Sequence, residues 1–325
     1  MPEKRTREEF SSNPVVTSLP DYVQENHDLI LKNFGLVGIA TRQRIGIQTG
    51  IKKSAYLNFL DVEPVLQDGS DCGFSASGSV TLTQRTIEVA TIKVDMDICP
   101  KQLLGKYAEY LVRVNATAEE LPFEQYIMDG VTREINKKIE KLIWQGDKTL
   151  TTNADLKWIN GFLKQFAGES SSLAAYMVGT KGLAAGTSAY NAIKAVYMAM
   201  TEETLDRGGI IFVSPALYRE FLQDMVEKNY FHYSGPQDAA PDEFIFPGTD
   251  VKVVKTPGLA GTTRPTIVGT FADNLVYGTD MENDEEDLDL WFSKDDRVFK
   301  FTASWNSGVA YHFPGQVVVA DIKAS

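Results

Sequence analysis

Three histidines, His27, His232 and His312, and two cysteines, Cys72 and Cys99, are the chain's whole supply of imidazole and thiol. They are scattered. There is no His-Glu-x-x-His helix and no paired Cys-x-x-Cys, so a zinc site has no support in the sequence. His312 lies in an apolar, strand-like context, Val309 to Phe313, and reads as a structural histidine. Gly73-Phe74-Ser75-Ala76-Ser77-Gly78 has the wrong spacing for a nucleophile elbow and precedes a strand rather than a helix. Gly179-Thr180-Lys181-Gly182 and Gly186-Thr187-Ser188 lack the spacing of a phosphate-binding loop. The acidic run from Asp280 to Asp289 has no glycine where a calcium loop needs its sharp turn, and reads as a solvated turn between strands. No catalytic residue, cofactor site or metal site is expected.

Bulk properties narrow the classes further. The 325 residues are 43% hydrophobic and 23% charged, ordinary values for a folded chain with a sizeable core. The formal net charge of −12 gives no general footprint for phosphates, which argues against a dedicated nucleic-acid reader. Two cysteines cannot build a disulfide framework and fit a reducing cytoplasm. No run approaches the roughly 18 apolar residues of a membrane span, so no membrane partner is expected. Met1 to Arg7 carries charge with no apolar segment behind it, unlike a secretory signal.

The elements are more informative than the motifs. Residues 1–35 read as a polar arm, with a short helix expected from Asp21 to Asn33. Tyr56 to Leu66 and Ser79 to Val94 are rich in β-branched residues and flank a small, flexible stretch, Asp68 to Gly78. Together they predict a long two-stranded excursion. Such a ribbon is marginal alone in water, so it is expected to rest on a neighbouring subunit. A helix of about 24 residues, roughly 36 Å long, is predicted from Pro122 to Gln145. Its apolar stripe is Phe123, Ile127, Val131, Ile135, Ile139 and Leu142, with Glu134, Lys137, Lys138 and Lys141 on the other side and Gly146 at its end. Residues 188–254 predict an α/β unit: a helix carrying Ile193, Val196 and Tyr197, a buried strand at Ile210 to Val213, and a second helix opened by Ser214-Pro215. Further strands are predicted at Val251–Val254, Thr266–Thr270, Leu275–Tyr277, Leu288–Phe292, Phe299–Trp305 and Val317–Ala320.

Four stretches, taken in order, resemble the major capsid proteins of tailed bacteriophages, the Hong Kong 97 type fold. Ser79 to Val94 looks like the returning strand of that family's extended loop. Leu142-Ile143-Trp144-Gln145-Gly146-Asp147, followed by Gly161-Phe162-Leu163, looks like the end of its spine helix. The helix, Ile210 to Val213, Ser214-Pro215, helix succession looks like the centre of its axial domain. Phe301 to Ala320, with Asn306-Ser307-Gly308-Val309-Ala310-Tyr311 and Pro314-Gly315-Gln316-Val317-Val318, looks like its final strands. The resemblance covers about residues 36 to 322, and the ordered set carries it rather than any one motif.

The resemblance implies an α+β fold with an N-terminal arm (1–35), the start of a peripheral domain (36–53), an extended β-hairpin loop (54–92), the peripheral domain with its spine helix (93–165), an axial domain (166–300) and C-terminal strands returning to the peripheral domain (301–325). It implies a structural subunit, not an enzyme, that self-assembles into pentamers and hexamers of an icosahedral shell. The shell encloses double-stranded DNA without sequence-specific binding and is assembled in a bacterial cytoplasm to become part of a virion. A separate scaffold, a portal and decoration proteins are the implied partners. Tyr56, Phe59, Phe74, Val80, Leu82 and Arg85 are the expected inter-subunit contacts. No Lys lies between Lys53 and Lys93, so the covalent crosslink that some members make through this loop is not expected. The alternatives are an encapsulin-like nanocompartment shell protein or an enzyme with an unrecognised site.

Overall fold

The structure, a computed structural model, describes residues 40–66, 78–99, 123–153, 155–168, 175–177, 187–228, 242–262, 266–280, 289–293, 295–296 and 298–322. The arm with its helix, the Phe74 tip, Cys72, His27, His232, the 179–182 glycines and most of the acidic run lie outside the described residues.

In chain order the elements are β1 (Gly46–Gln48), β2 (Ser54–Pro64), β3 (Gly78–Glu88), β4 (Ala90–Ile98), α1 (Phe123–Gln145), α2 (Phe162–Gly168), β5 (Ala175–Met177), α3 (Ala189–Ala199), α4 (Glu202–Asp206), β6 (Gly209–Val213), α5 (Pro215–Glu227), β7 (Glu243–Ile245), β8 (Lys252–Lys255), β9 (Thr266–Phe271), β10 (Leu275–Gly278), β11 (Asp289–Ser293), β12 (Val298–Tyr311) and β13 (Val318–Asp321).

A six-stranded sheet, ordered β5-β13-β9-β6-β8-β7, is the middle layer of the body. Its central strands β6 and β9 are buried at every position because both faces are covered. Ile211, Val213, Ile267, Val318 and Ala320 pack against α3 and α5 through Ile193, Val196, Leu217 and Phe221. Ile210, Phe212, Val268 and Val319 share the opposite core with Trp144, Phe162 and Phe166 of α1 and α2. Two predicted starts hold. The Ser188 and Ser214 side chains accept hydrogen bonds from the N–H groups of Asn191 and Leu217, and Pro215 occupies the first turn of α5.

The second sheet runs β1-β10-β12-β11, with β4 also paired to β12. Strand β12 spans 14 residues, well beyond the predicted Phe299–Trp305. It pairs β11 and β4 along its first part and β10 at Gly308–Tyr311. Asn306-Ser307-Gly308 has turn composition, yet it stays in the sheet because each segment finds a new partner strand there. The predicted single strand Ser79–Val94 is divided at Val89, whose N–H donates to the Lys53 carbonyl. Before that point the chain pairs with β2, and after it with β12. Gly308 permits the crossing, since a Cβ there would lie 2.2 Å from the Glu88 oxygen.

The C-terminal stretch is shared between the two sheets. Strand β12 lies with β4, whereas β13 lies between β5 and β9 in the six-stranded sheet. Val317 to Ala320 is apolar at every position, which suits a strand covered on both faces.

Helix α1 is buried on two sides. Ile135, Ile139 and Leu142 form the predicted stripe, while Asn136, Glu140, Ile143 and Trp144 are buried on a second face. Only a narrower strip carrying Glu134, Lys137, Lys138 and Lys141 is exposed, which corrects the single-stripe reading. The turn after the helix depends on two glycines in contact. A Cβ on Gly161 would lie 2.7 Å from the Gly146 nitrogen, and one on Gly146 would lie 2.6 Å from the Leu142 and Ile159 oxygens.

Candidate assembly surface

The ribbon β2–β3 is antiparallel, with Tyr56 opposite Thr86, Leu57 opposite Arg85, Phe59 opposite Thr83, Leu60 opposite Leu82 and Val62 opposite Val80. Alternation divides it into two faces. Leu57 and Ile87 face the body and are buried with Ile51, Val276 and Ala310. The ribbon's root therefore rests on its own chain. Arg85 joins this inner face, its guanidinium 4.1 Å from the centre of the Tyr311 ring.

The outer face is different. Tyr56 is 68% exposed, Val80 69% and Leu82 61%. Of the six residues expected to touch a neighbour, these three thus form an exposed apolar row. Arg85 is engaged within the chain, Phe59 is placed by strand register alone, and Phe74 lies outside the described residues. Single exposed apolar residues need no explanation, but three on one face of a two-stranded projection form a sticky surface.

A second feature escaped the sequence reading. An open groove of about 530 Å³ runs between α1 and β4. Its apolar lining includes Ile92, Val131, Ile135, Ile139, Leu142 and Trp305, and Trp158 stands half-exposed at its edge. Charged pairs border it: Lys93 with Asp95 at 2.8 Å, and Lys138 with Asp155 at 3.2 Å. The sequence signal for this groove was the apolar stripe of α1 itself. That stripe is longer than the partner surface the described part of the chain supplies for it. Geometrically, an apolar floor with a charged border accepts a strip of apolar side chains from another segment.

Little in the described residues offers chemistry. No group of three or more His, Cys, Asp or Glu among them could hold a metal ion. No helix among them is long and apolar enough to cross a membrane. The half-buried His312 has its pKa lowered by burial, and its backbone N–H donates to the Asn274 side chain.

Asp147, in the turn that closes α1, is held by a different logic. It accepts from the Thr149 hydroxyl at 2.6 Å, the Thr149 N–H at 2.8 Å and the Lys164 ammonium at 2.9 Å. The Thr149 and Lys164 bonds hold its carboxyl down at about 2. A depressed carboxyl stabilises the fold above the ordinary aspartate range and loses that contribution as pH falls toward 2. Asp147→Asn is therefore expected to lower the denaturant midpoint at pH 5 and to leave a smaller difference from wild type near pH 2. Equal offsets at both pH values would contradict the assignment.

No protein-family model and no curated protein matches the chain. Solved structures do. It is similar to a subunit of the satellite phage P4 procapsid including the size determination (Sid) protein, at 12% identity over 93% of this chain and 100% of that one, with a TM-score of 0.57. It is similar to the capsid of the native GTA particle, at 12% identity over 88% of this chain and 97% of that one, with a TM-score of 0.55. It is also similar to a chain of Gordonia phage Cozz, at 10% identity over 88% and 86%, with a TM-score of 0.53. The class of fold is thereby defined: a mixed α+β fold shared with capsid subunits. In particular it is the phage capsid fold of the Hong Kong 97 type, as the order of the elements led one to expect.

Proposed function

We propose that the chain is the main shell subunit of an icosahedral viral capsid, a structural protein rather than an enzyme. The observation that carries this reading is the ribbon. On a capsid-type fold, a projection rooted in its own body presents Tyr56, Val80 and Leu82 to solvent. A monomeric protein gains nothing from that face, whereas a lattice subunit buries it on the next copy.

On this reading, β2–β3 is the extended loop, α1 the spine helix and the six-stranded sheet the axial body. The outer face of one ribbon lies in the groove between α1 and β4 of a neighbour. Pentamers and hexamers repeat that contact. Double-stranded DNA fills the shell without sequence readout, and the chain's negative charge keeps the wall from adhering to it. Scaffold, portal and decoration proteins are separate chains, and assembly takes place in the bacterial cytoplasm before the virion is released.

Negative-stain electron microscopy and light scattering on the purified chain test the reading. Closed shells, or free pentamers and hexamers, are the expected result. A homogeneous monomer, persisting after co-expression with its scaffold, would overturn it.

A further inference from the structure

Glu140 is 3% exposed, toward the C-terminal end of α1. Its carboxylate accepts from the Thr41 N–H at 3.1 Å and from the Thr41 hydroxyl at 2.5 Å, and the Gly258 N–H also donates to it. The Thr41 oxygen in turn accepts from the Trp144 indole N–H at 2.7 Å. Three separate parts of the chain meet at this one carboxyl: the segment Ala40–Arg44, helix α1 and the turn Thr256–Ala260.

The charges around it do not neutralise it directly. From the 40–44 segment, Arg42 lies over the Tyr277 ring at 4.2 Å, and Arg44 pairs with Glu243 of β7 at 2.8 Å while donating to the Ala40 carbonyl. Arg44 attracts Glu140 only at longer range. The turn offers the Gly258 N–H, and Lys255 just before it pairs with Asp242. On the buried face of α1, Asn136 and Trp144 are neutral, while Lys137 and Lys141 are exposed. Burial favours the neutral form of this carboxyl, and the hydrogen bonds from Thr41 and Gly258 offset that only in part.

We propose that Glu140 is a proton-operated pin: neutral, it holds the segment Ala40–Arg44 on α1, and ionised it lets that segment detach. Both forms can bond to Thr41, because a hydroxyl either donates or accepts. What differs is the cost of keeping a charge buried, and detachment returns that charge to water. Burial lifts the carboxyl above its ordinary range, so the attached state binds the proton more tightly than the detached one. The pin is therefore complete below the ordinary glutamate pKa and weakens as pH rises through the higher attached value.

Hydrogen exchange of the full chain, compared at pH 5 and pH 8 and corrected for intrinsic rates, tests the proposal. One linked proton changes the opening equilibrium by at most about tenfold per pH unit. Protection across Ala40–Arg44 is expected to fall about tenfold or more in the wild type, and to stay constant in Glu140→Gln. Constant protection in the wild type, or an equal fall in Glu140→Gln, overturns it. Should the variant not fold, the wild-type Trp144 indole N–H resonance decides. It is expected to shift with a single transition above the ordinary glutamate range, and the absence of that transition also overturns the proposal.

Discussion

A subunit carrying Val80→Asp together with Leu82→Asp is expected to fold normally and fail to assemble. Both side chains are more than half exposed in the isolated chain, so replacing them removes no core contact. Stability to denaturant should therefore stay close to wild type, as for most surface substitutions. In a shell the same positions would be buried. Losing the transfer of two such side chains costs roughly 3–6 kcal/mol per contact. That is about 100-fold or more in pairwise affinity, before the cost of burying two carboxylates is added. Sedimentation of assembly reactions, with denaturation curves on the same samples, separates the two effects. Wild-type shell yield from the double variant would remove the ribbon face from the contact, and a collapse in stability would show that the face is structural. Tyr56→Asp should act in the same direction.

The second large effect concerns the fold itself. Trp144 is fully buried where the C-terminal end of α1 meets the six-stranded sheet. Its ring centre lies 5.3 Å from that of Phe162 and 5.2 Å from that of Phe212. The packing leaves no slack, since a Cβ on Gly258 would stand 2.3 Å from the Trp144 ring. Trp144→Ala is expected to cost about 3–5 kcal/mol of unfolding free energy through the cavity it leaves. It also removes the indole donor to Thr41 and so loosens the 40–44 segment. Trp144→Phe retains most ring contacts but not the N–H, and should cost clearly less. Urea denaturation of the unassembled subunit measures both. A loss below about 1 kcal/mol for the alanine variant would mean that the two layers are held by something other than this aromatic cluster.

Much of this protein can be read from local pattern. Ser188 and Ser214-Pro215 start α3 and α5 because a cap acts within one turn of chain. Ile210 to Val213 reads as a strand covered on both faces, and is one, since four apolar residues in a row leave no face for water. The ribbon could be recognised from β-branched residues on either side of a small-residue stretch, but its outer row could not, since Phe59 and Arg85 were expected there too and only the strand register sets them on the other face.

What the pattern could not decide was which partner each face would find. The turn-like Asn306-Ser307-Gly308 stays extended because β4 and β10 hold it in register, and those strands are far away in sequence. Val89 divides a continuous β-branched run because the chain changes partner there. Arg85 reads as an outward contact residue by type, but Tyr311 supplies a ring beneath it. No local pattern marks Glu140 as buried; Thr41 and Gly258 close over it. The sequence by itself determined the principal helices and strands and their order, because caps, periodicity and alternation act over a few residues. Only the tertiary structure decided the division of the C-terminal strands between two sheets, the groove beside α1 and the buried carboxyl of Glu140. Each of these depends on groups brought together from distant parts of the chain, and such contacts leave no periodic trace in either segment alone.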